Sequence, residues 1–120
     1  MKIAVTSNGR TLESPVDPRF GRAKCFIVID TDTGEFSAAD NTQNLNAAQG
    51  AGIQAGKNIV DLGVAAVITG HVGPKAFTTL QAGGVVVYTG VSGTVADAVK
   101  QFTAGQLQQS SDADVEGHWA

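Results

Sequence analysis

The chain has 120 residues, a formal net charge of −3, 42% hydrophobic residues and a single cysteine. That length is one domain's worth, enough for a core without covalent staples. The weak negative charge excludes a global basic field for nucleic acid or an anionic membrane surface, and no apolar run approaches the length of a bilayer span. One cysteine excludes an internal disulfide framework and fits a reducing cytoplasm. Met1-Lys2 leads straight into Ile3-Ala4-Val5, too short for the core of a signal peptide. A cytoplasmic protein is therefore expected, with no nucleic-acid or membrane partner.

Lys2 to Thr6 reads as a first strand, ended by Ser7-Asn8-Gly9. Thr11 to Arg22 is a loop in which Pro15 and Pro18 forbid a regular helix or central strand, with Asp17-Pro18 able to start one helical turn. Cys25 to Asp30 is a second strand. Thr31-Asp32-Thr33-Gly34 is a hairpin turn by composition, with Glu35 to Ala39 returning as the third strand. A polar loop from Asp40 to Gln49 and then Gly50-Ala51-Gly52 lead into a helix from Ile53 to Leu62. Its inner face carries Ile53, Gly56, Ile59, Val60 and Gly63 at helical spacing.

Val64 to Ile68 runs without a polar residue, the pattern of a strand buried on both faces. Thr69-Gly70 ends it, and Gly73-Pro74 opens a helix from Pro74 to Ala82, with proline at the first helical position where its missing N–H does no harm. Val85 to Tyr88 is a second buried strand, and Thr89 to Thr94 repeats the strand, glycine turn and helix start, with Ser92 or Thr94 as N-cap. The third helix turns Val95, Val99 and Phe102 inward and ends near Gly105. Residues 1–107 form the domain, and the polar stretch 108–120 reads as a flexible tail.

Three strands joined by tight connections, followed by helix–strand–helix–strand–helix, predict antiparallel pairing first and right-handed parallel crossovers afterwards. The result is a five-stranded mixed sheet in the order 3-2-1-4-5 with three main helices, a ribonuclease-H-like three-layer α/β sandwich. This topology sends the loop Ser7–Arg22, the loop Asp40–Gly52, the turn Gly70–Gly73 and the turn Gly90–Gly93 to one edge of the sheet. Three of these lead into helix N-termini, so that edge is expected to be a shallow bowl of backbone N–H donors reachable by Arg19, Arg22, Lys24, His71 and Lys75. Such a bowl suits an anionic ligand.

Four stretches now stand together: Ser14-Pro15-Val16-Asp17-Pro18-Arg19-Phe20-Gly21-Arg22-Ala23, Gly50-Ala51-Gly52-Ile53-Gln54-Ala55, Val67-Ile68-Thr69-Gly70-His71-Val72-Gly73-Pro74-Lys75-Ala76-Phe77, and Gly90-Val91-Ser92-Gly93-Thr94-Val95. In this order and separation they resemble the dinitrogenase iron–molybdenum cofactor biosynthesis family, and the resemblance runs from Met1 to about Leu107. Within the family, the loop Ser14–Gly21 combined with Asn41-Thr42-Gln43-Asn44 is most similar to a branch that holds a molybdenum–copper sulfide cluster without covalent ligation. The resemblance implies a cluster carrier or store, not an enzyme, with a protein donor or acceptor of the cluster as partner. An iron–molybdenum–sulfur cluster precursor is the alternative cargo. The chain departs from many members by having Asn46-Ala47-Ala48-Gln49 where they carry histidine or cysteine. That departure favours a ready-made cluster gripped by charge and hydrogen bonds.

The candidate binding residues are accordingly Arg19, Phe20, Gly21 and Arg22 from the first loop; Asn46, Gly50 and Gly52 from the second; Gly70, His71, Val72 and Gly73 from the third; and Ser92 and Gly93 from the fourth. A sulfide-bridged cluster is a bulky polyanion, which arginines on a proline-framed loop and helix N–H groups would suit. Arg19 could instead be spent on a structural bridge to Asp17, and Lys75 on solvent. Cys25 is the one soft ligand available to a metal, although a free cysteine is more often a buried small hydrophobe. His118 in the tail makes no metal site by itself. The glycines at 50, 52 and 56 have the wrong spacing for a dinucleotide fingerprint, and strand one lacks the carboxylates of a two-metal nuclease. Two other readings stay open on the residues alone: a small-anion or nucleotide-binding enzyme using His71 as acid–base, and a regulatory interaction module.

Overall fold

Side-chain alternation along the central strands divides the interior into two cores. The computed structural model describes residues 1–41 and 51–111. Strand β1 (Lys2–Ser7) lies at the middle of the sheet, antiparallel to β2 (Cys25–Asp30), which pairs antiparallel with β3 (Phe36–Asp40). On its other side β1 runs parallel to β4 (Ala66–Ile68), and β4 parallel to β5 (Val86–Tyr88). The strand order β3-β2-β1-β4-β5 is the one expected from the connections.

Helices α1 (Ala51–Asp61) and α2 (Pro74–Ala82) cover one face, and α3 (Val95–Thr103) covers the other. Under α1 and α2, the even residues Ala4 and Phe26 and the alternate residues Val67 and Val87 meet Ala55, Ile59, Ala76 and Leu80. Under α3, Ile3, Val5, Ile27, Ile29, Ala66 and Ile68 meet Val95 and Ala98. A period of two sends neighbours in a strand to opposite layers, so β1, β2, β4 and β5 each serve both cores. This is the three-layer α/β sandwich with three helices.

Several local readings shift for physical reasons. The strand expected over Val64–Ile68 pairs only from Ala66, and Ala65 is exposed. Strand β5 is half-buried at Val86 and Tyr88 because it is the outer strand. Its free edge is met by the chain beyond α3: Gln109 bridges to Tyr88, and Ser110 N–H donates to Val87 O at 2.8 Å. The inner face of α1 is Gly52, Ala55, Gly56 and Ile59, with Ile53 only half-buried. Small residues there let α2 approach closely, since a Cβ on Gly56 would stand 2.9 Å from Thr79 Cγ2. Among the described residues no helix is long and apolar enough to cross a membrane.

Candidate functional site

The carboxyl ends of β1, β4 and β5 point to one edge of the sheet, together with the amino end of β2 and the last residue of β3, since Ser7 pairs with Cys25 and Cys25 with Asp40. The proline-framed loop that follows β1 is strapped across this edge. Val16 bridges back to Ser7, and Asp17 N–H donates to Thr6 O at 2.9 Å. Beneath it Thr6 Oγ1 donates to Asp17 O at 2.9 Å and shares a hydrogen bond of 2.9 Å with Thr69 Oγ1. Both hydroxyls are buried, and this pairing satisfies them where water cannot.

The loop then lies down on the turn after β4. Arg19 bridges in parallel fashion to His71, and Phe20 N–H donates to His71 O at 3.1 Å. Phe20, Gly21 and Arg22 form one 3-10 turn, starting later than Asp17-Pro18 suggested, because the Asp17 carboxylate accepts from the Arg19 backbone N–H at 3.0 Å and holds that residue extended. Phe20 is wholly buried and stacks on Phe26 with ring centroids 6.1 Å apart, while the side chains of Arg19 and Arg22 on either side remain exposed. The turn is thus anchored by an aromatic ring and presents two guanidinium groups to solvent.

Asp17 therefore does not consume the Arg19 guanidinium; it holds the Arg19 backbone. Among the described residues no carboxylate lies within ion-pair distance of Arg19, Arg22, Lys24 or Lys75, and Arg10 alone of the cations at this edge is paired, its Nη1 2.6 Å from Asp40 Oδ1. Four exposed cations, none of them in an ion pair among the described residues, stand at this edge, while the nearby Asp17 and Asp97 carboxylates are engaged by backbone N–H groups.

The two helix starts described at this edge differ. At α2, Gly73 makes no side-chain cap and Pro74 carries no N–H, so among the described residues nothing caps the backbone donors of Lys75 and Ala76. At α3 the donors are taken. Thr94, rather than Ser92, is the N-cap and forms a capping box with Asp97; Val95 N–H donates to Ser14 O at 2.9 Å and Ala96 N–H to Leu12 O at 2.8 Å. The expected bowl of three open helix starts is therefore closed at α3 by the chain's own loop. Gly93, at a φ of 93°, turns its carbonyl to accept from Val16 N–H at 2.9 Å, a left-handed conformation that favours glycine. Ser92 stays exposed at the rim.

Cys25 is buried at the start of β2, and its Sγ donates to Gly9 O at 3.0 Å. Burial pushes its thiol above the ordinary value, with only a smaller opposing pull from Arg10. Both features keep it a neutral donor facing a carbonyl. Among the described residues no three His, Cys, Asp or Glu side chains gather as a metal-ligand set.

Of the residues singled out in sequence, the structure brings Arg19, Phe20, Gly21, Arg22, Gly70, His71, Val72 and Gly73 into one patch. His71 is half-buried, Val72 is in the core, and Gly70 is pressed against Pro18. Gly52 is buried in the first turn of α1. Asn46 and Gly50 lie outside the described residues, as does His118. Asn41 did not stand out in sequence as a site residue, yet it is buried and donates to Ala23 O at 2.9 Å and Gly21 O at 3.4 Å, on either side of Arg22. Its signal in sequence lies in the stretch Asn41-Thr42-Gln43-Asn44, which enters the family resemblance but not the set of binding residues.

These features define an α/β domain whose sheet edge brings exposed cations on one turn next to a helix start with no cap among the described residues. The chain belongs to the dinitrogenase iron-molybdenum cofactor family, whose model matches residues 1–105. Its structure is similar to the apo form of the orange protein from Desulfovibrio gigas, at 40% identity and a TM-score of 0.91, over 95% of this chain and 96% of that one. It is also similar to a NifB-like protein of Thermotoga, at 36% identity and a TM-score of 0.80, over 97% and 98% of the two chains. An uncharacterized protein of Methanocaldococcus jannaschii is 29% identical over 111 residues, 91% of each chain.

Proposed function

We propose that this chain binds a preformed molybdenum-containing metal–sulfide cluster at the carboxyl edge of its sheet and carries or stores it without catalysing a reaction. The observation that carries the reading is the Arg19–Arg22 turn. It holds two exposed guanidinium groups with no carboxylate partner among the described residues, seated against the turn that opens the uncapped α2. Guanidinium groups and backbone N–H groups bind an anion's exterior without replacing its own ligands. Family membership and the likeness to the orange protein support a molybdenum-containing cargo. The loop Ser14–Gly21, together with Asn41–Asn44, favours molybdenum–copper sulfide over an iron–molybdenum–sulfur precursor.

The protein's contribution is to grip, orient and shield. Lys75 adds a charge at the start of α2, where its own helix dipole disfavours it unless an anion is near. His71 lies beside Arg19 through a backbone bridge, and its half-buried imidazole is the candidate hydrogen-bond donor to the cluster from that turn. Neutral Cys25, turned toward Gly9 O, leaves the cluster its own sulfides. A donor or acceptor protein would meet the same exposed edge.

The test is reconstitution of the purified apo-protein with tetrathiomolybdate and copper(I), followed by desalting, metal analysis and visible spectroscopy. Retained charge-transfer absorption with stoichiometric molybdenum and copper is expected. Replacing Arg19 and Arg22 together with alanine should weaken retention about tenfold or more, the loss of charge-assisted hydrogen bonds. A colourless wild-type protein, or equal retention by the double variant, would overturn the reading.

A further inference from the structure

The backbone that carries Arg22 is tied to α1, the helix packed against its turn, by a chain of side-chain amides. Asn41 is 8% exposed, and its Nδ2 donates to the carbonyls of Gly21 and Ala23, the two neighbours of Arg22. Its Oδ1 accepts from Asn58 Nδ2 at 3.0 Å, and Asn58 Oδ1 accepts from Gln54 Nε2 at 3.2 Å. Asn58 and Gln54 are one turn apart on α1. The Asn41 backbone N–H also donates to Lys24 O at 3.2 Å. Three carbonyls within four residues of the arginine turn, those of Gly21, Ala23 and Lys24, are therefore held by one residue.

A buried amide with both donor and acceptor engaged has a single orientation, because flipping it would bring its oxygen against two carbonyl oxygens. Asn58 selects that orientation by donating to Oδ1. Gln54 in turn selects the orientation of Asn58, since its N–H takes the Asn58 oxygen. We infer that Asn41 and Asn58 are positioning residues of the anion site: they set the direction of the Arg22 turn from α1, the helix that follows the second site loop. The inference rests on the proposed anion-binding role of this edge and adds to it a coupling between two of its elements. Supporting residues of this kind, which touch no ligand, commonly change affinity by about ten- to a hundredfold when lost.

Two variants separate the effects. Asn58→Ala leaves Asn41 in place and keeps a good helix former on α1; Asn41→Asp keeps size and acceptor while removing the donor to Gly21 and Ala23. Amide hydrogen exchange of the apo-protein is read at residues 20–24, alongside tetrathiomolybdate affinity and the circular-dichroism spectrum. Both variants should stay folded, exchange faster at residues 20–24 than wild type, and bind about tenfold more weakly. The double variant should be no weaker than Asn41→Asp alone, as members of one chain act together. Unchanged exchange at residues 20–24 in Asn58→Ala, or additive losses in the double variant, would overturn the inference. A wild-type protein that binds no tetrathiomolybdate would instead sink the proposed cargo, and the exchange measurement would still decide whether α1 holds the turn.

Discussion

Gly70 lies so close to Pro18 that a Cβ at position 70 would stand 2.7 Å from the Pro18 carbonyl oxygen and 2.8 Å from its Cα. This contact is what joins the arginine turn to the start of α2, since one step further on Arg19 bridges to His71. Both colliding atoms are backbone, so neither can swing aside as a flexible side chain would. The glycine is required by the approach of two chains.

Gly70→Ala should therefore lift the proline loop from the turn. A stability loss of about 1–3 kcal/mol is expected from overpacking, together with a larger fractional loss of tetrathiomolybdate binding than Arg19→Ala produces. Urea unfolding with parallel binding titrations checks it; wild-type binding in the variant would show that the loop and the turn work independently.

Salt should act on the site through the exposed arginines. The screening length falls to about 8 Å at physiological ionic strength, so wild-type affinity for tetrathiomolybdate should drop as salt is raised. The Arg19→Ala/Arg22→Ala protein should show a shallower slope across the same series. Parallel slopes would place the attraction elsewhere on the molecule.

The start of α3 makes an acid-sensitive clasp. The Asp97 carboxyl is held below its ordinary value of 3.8, first by the Thr94 backbone N–H and then by the Thr94 side chain. A depressed folded-state value means that its stabilisation is present above the unfolded-state value and is lost as pH falls through the folded one. Thr94→Ala should cost about 1 kcal/mol at neutral pH. The gap to wild type should narrow in acid as Asp97 takes up a proton. Urea midpoints at pH 7 and at about pH 3 test this, and a gap that widens in acid would contradict it.

Cys25 and His71 should separate cleanly. Cys25→Ala should keep cluster colour and metal content while costing about 1 kcal/mol or somewhat more in packing. In the wild type, iodoacetamide should modify Cys25 more slowly than a free thiol at the same pH, because burial raises the thiol. His71→Ala should loosen the cluster. Loss of colour in folded Cys25→Ala, with His71→Ala unaffected, would mean that the protein ligates the metal directly.

The order of strands was legible in the chain because short hairpin connections and right-handed crossovers leave few topologies, whereas an unbroken apolar run did not by itself place a strand, since Val64–Ile68 gives an inner strand and Val85–Tyr88 the outer one. The proline loop, the Gly73-Pro74 helix start and the meeting of the Ser7–Arg22, Gly70–Gly73 and Gly90–Gly93 segments at one edge follow from the same local rules. Family resemblance was likewise carried by contiguous residues, in motifs that need no coordinates to be seen. Asp17 was harder: its proximity to Arg19 in sequence suggested a side-chain bridge, whereas its carboxylate caps the Arg19 backbone N–H.

Which helix start stays open was decided only by tertiary structure. Ser14 and Leu12 fill the start of α3 from more than eighty residues away, and nothing in Gly90–Val95 by itself records that. The same holds for Thr6 with Thr69 and for Asn41 with Asn58, whose polar side chains look like ordinary surface residues until folding buries them together. Local sequence sets backbone conformation and hydrophobic period. A buried polar group is satisfied by whatever the fold brings within about 3 Å of it, and that partner is a property of the assembled chain.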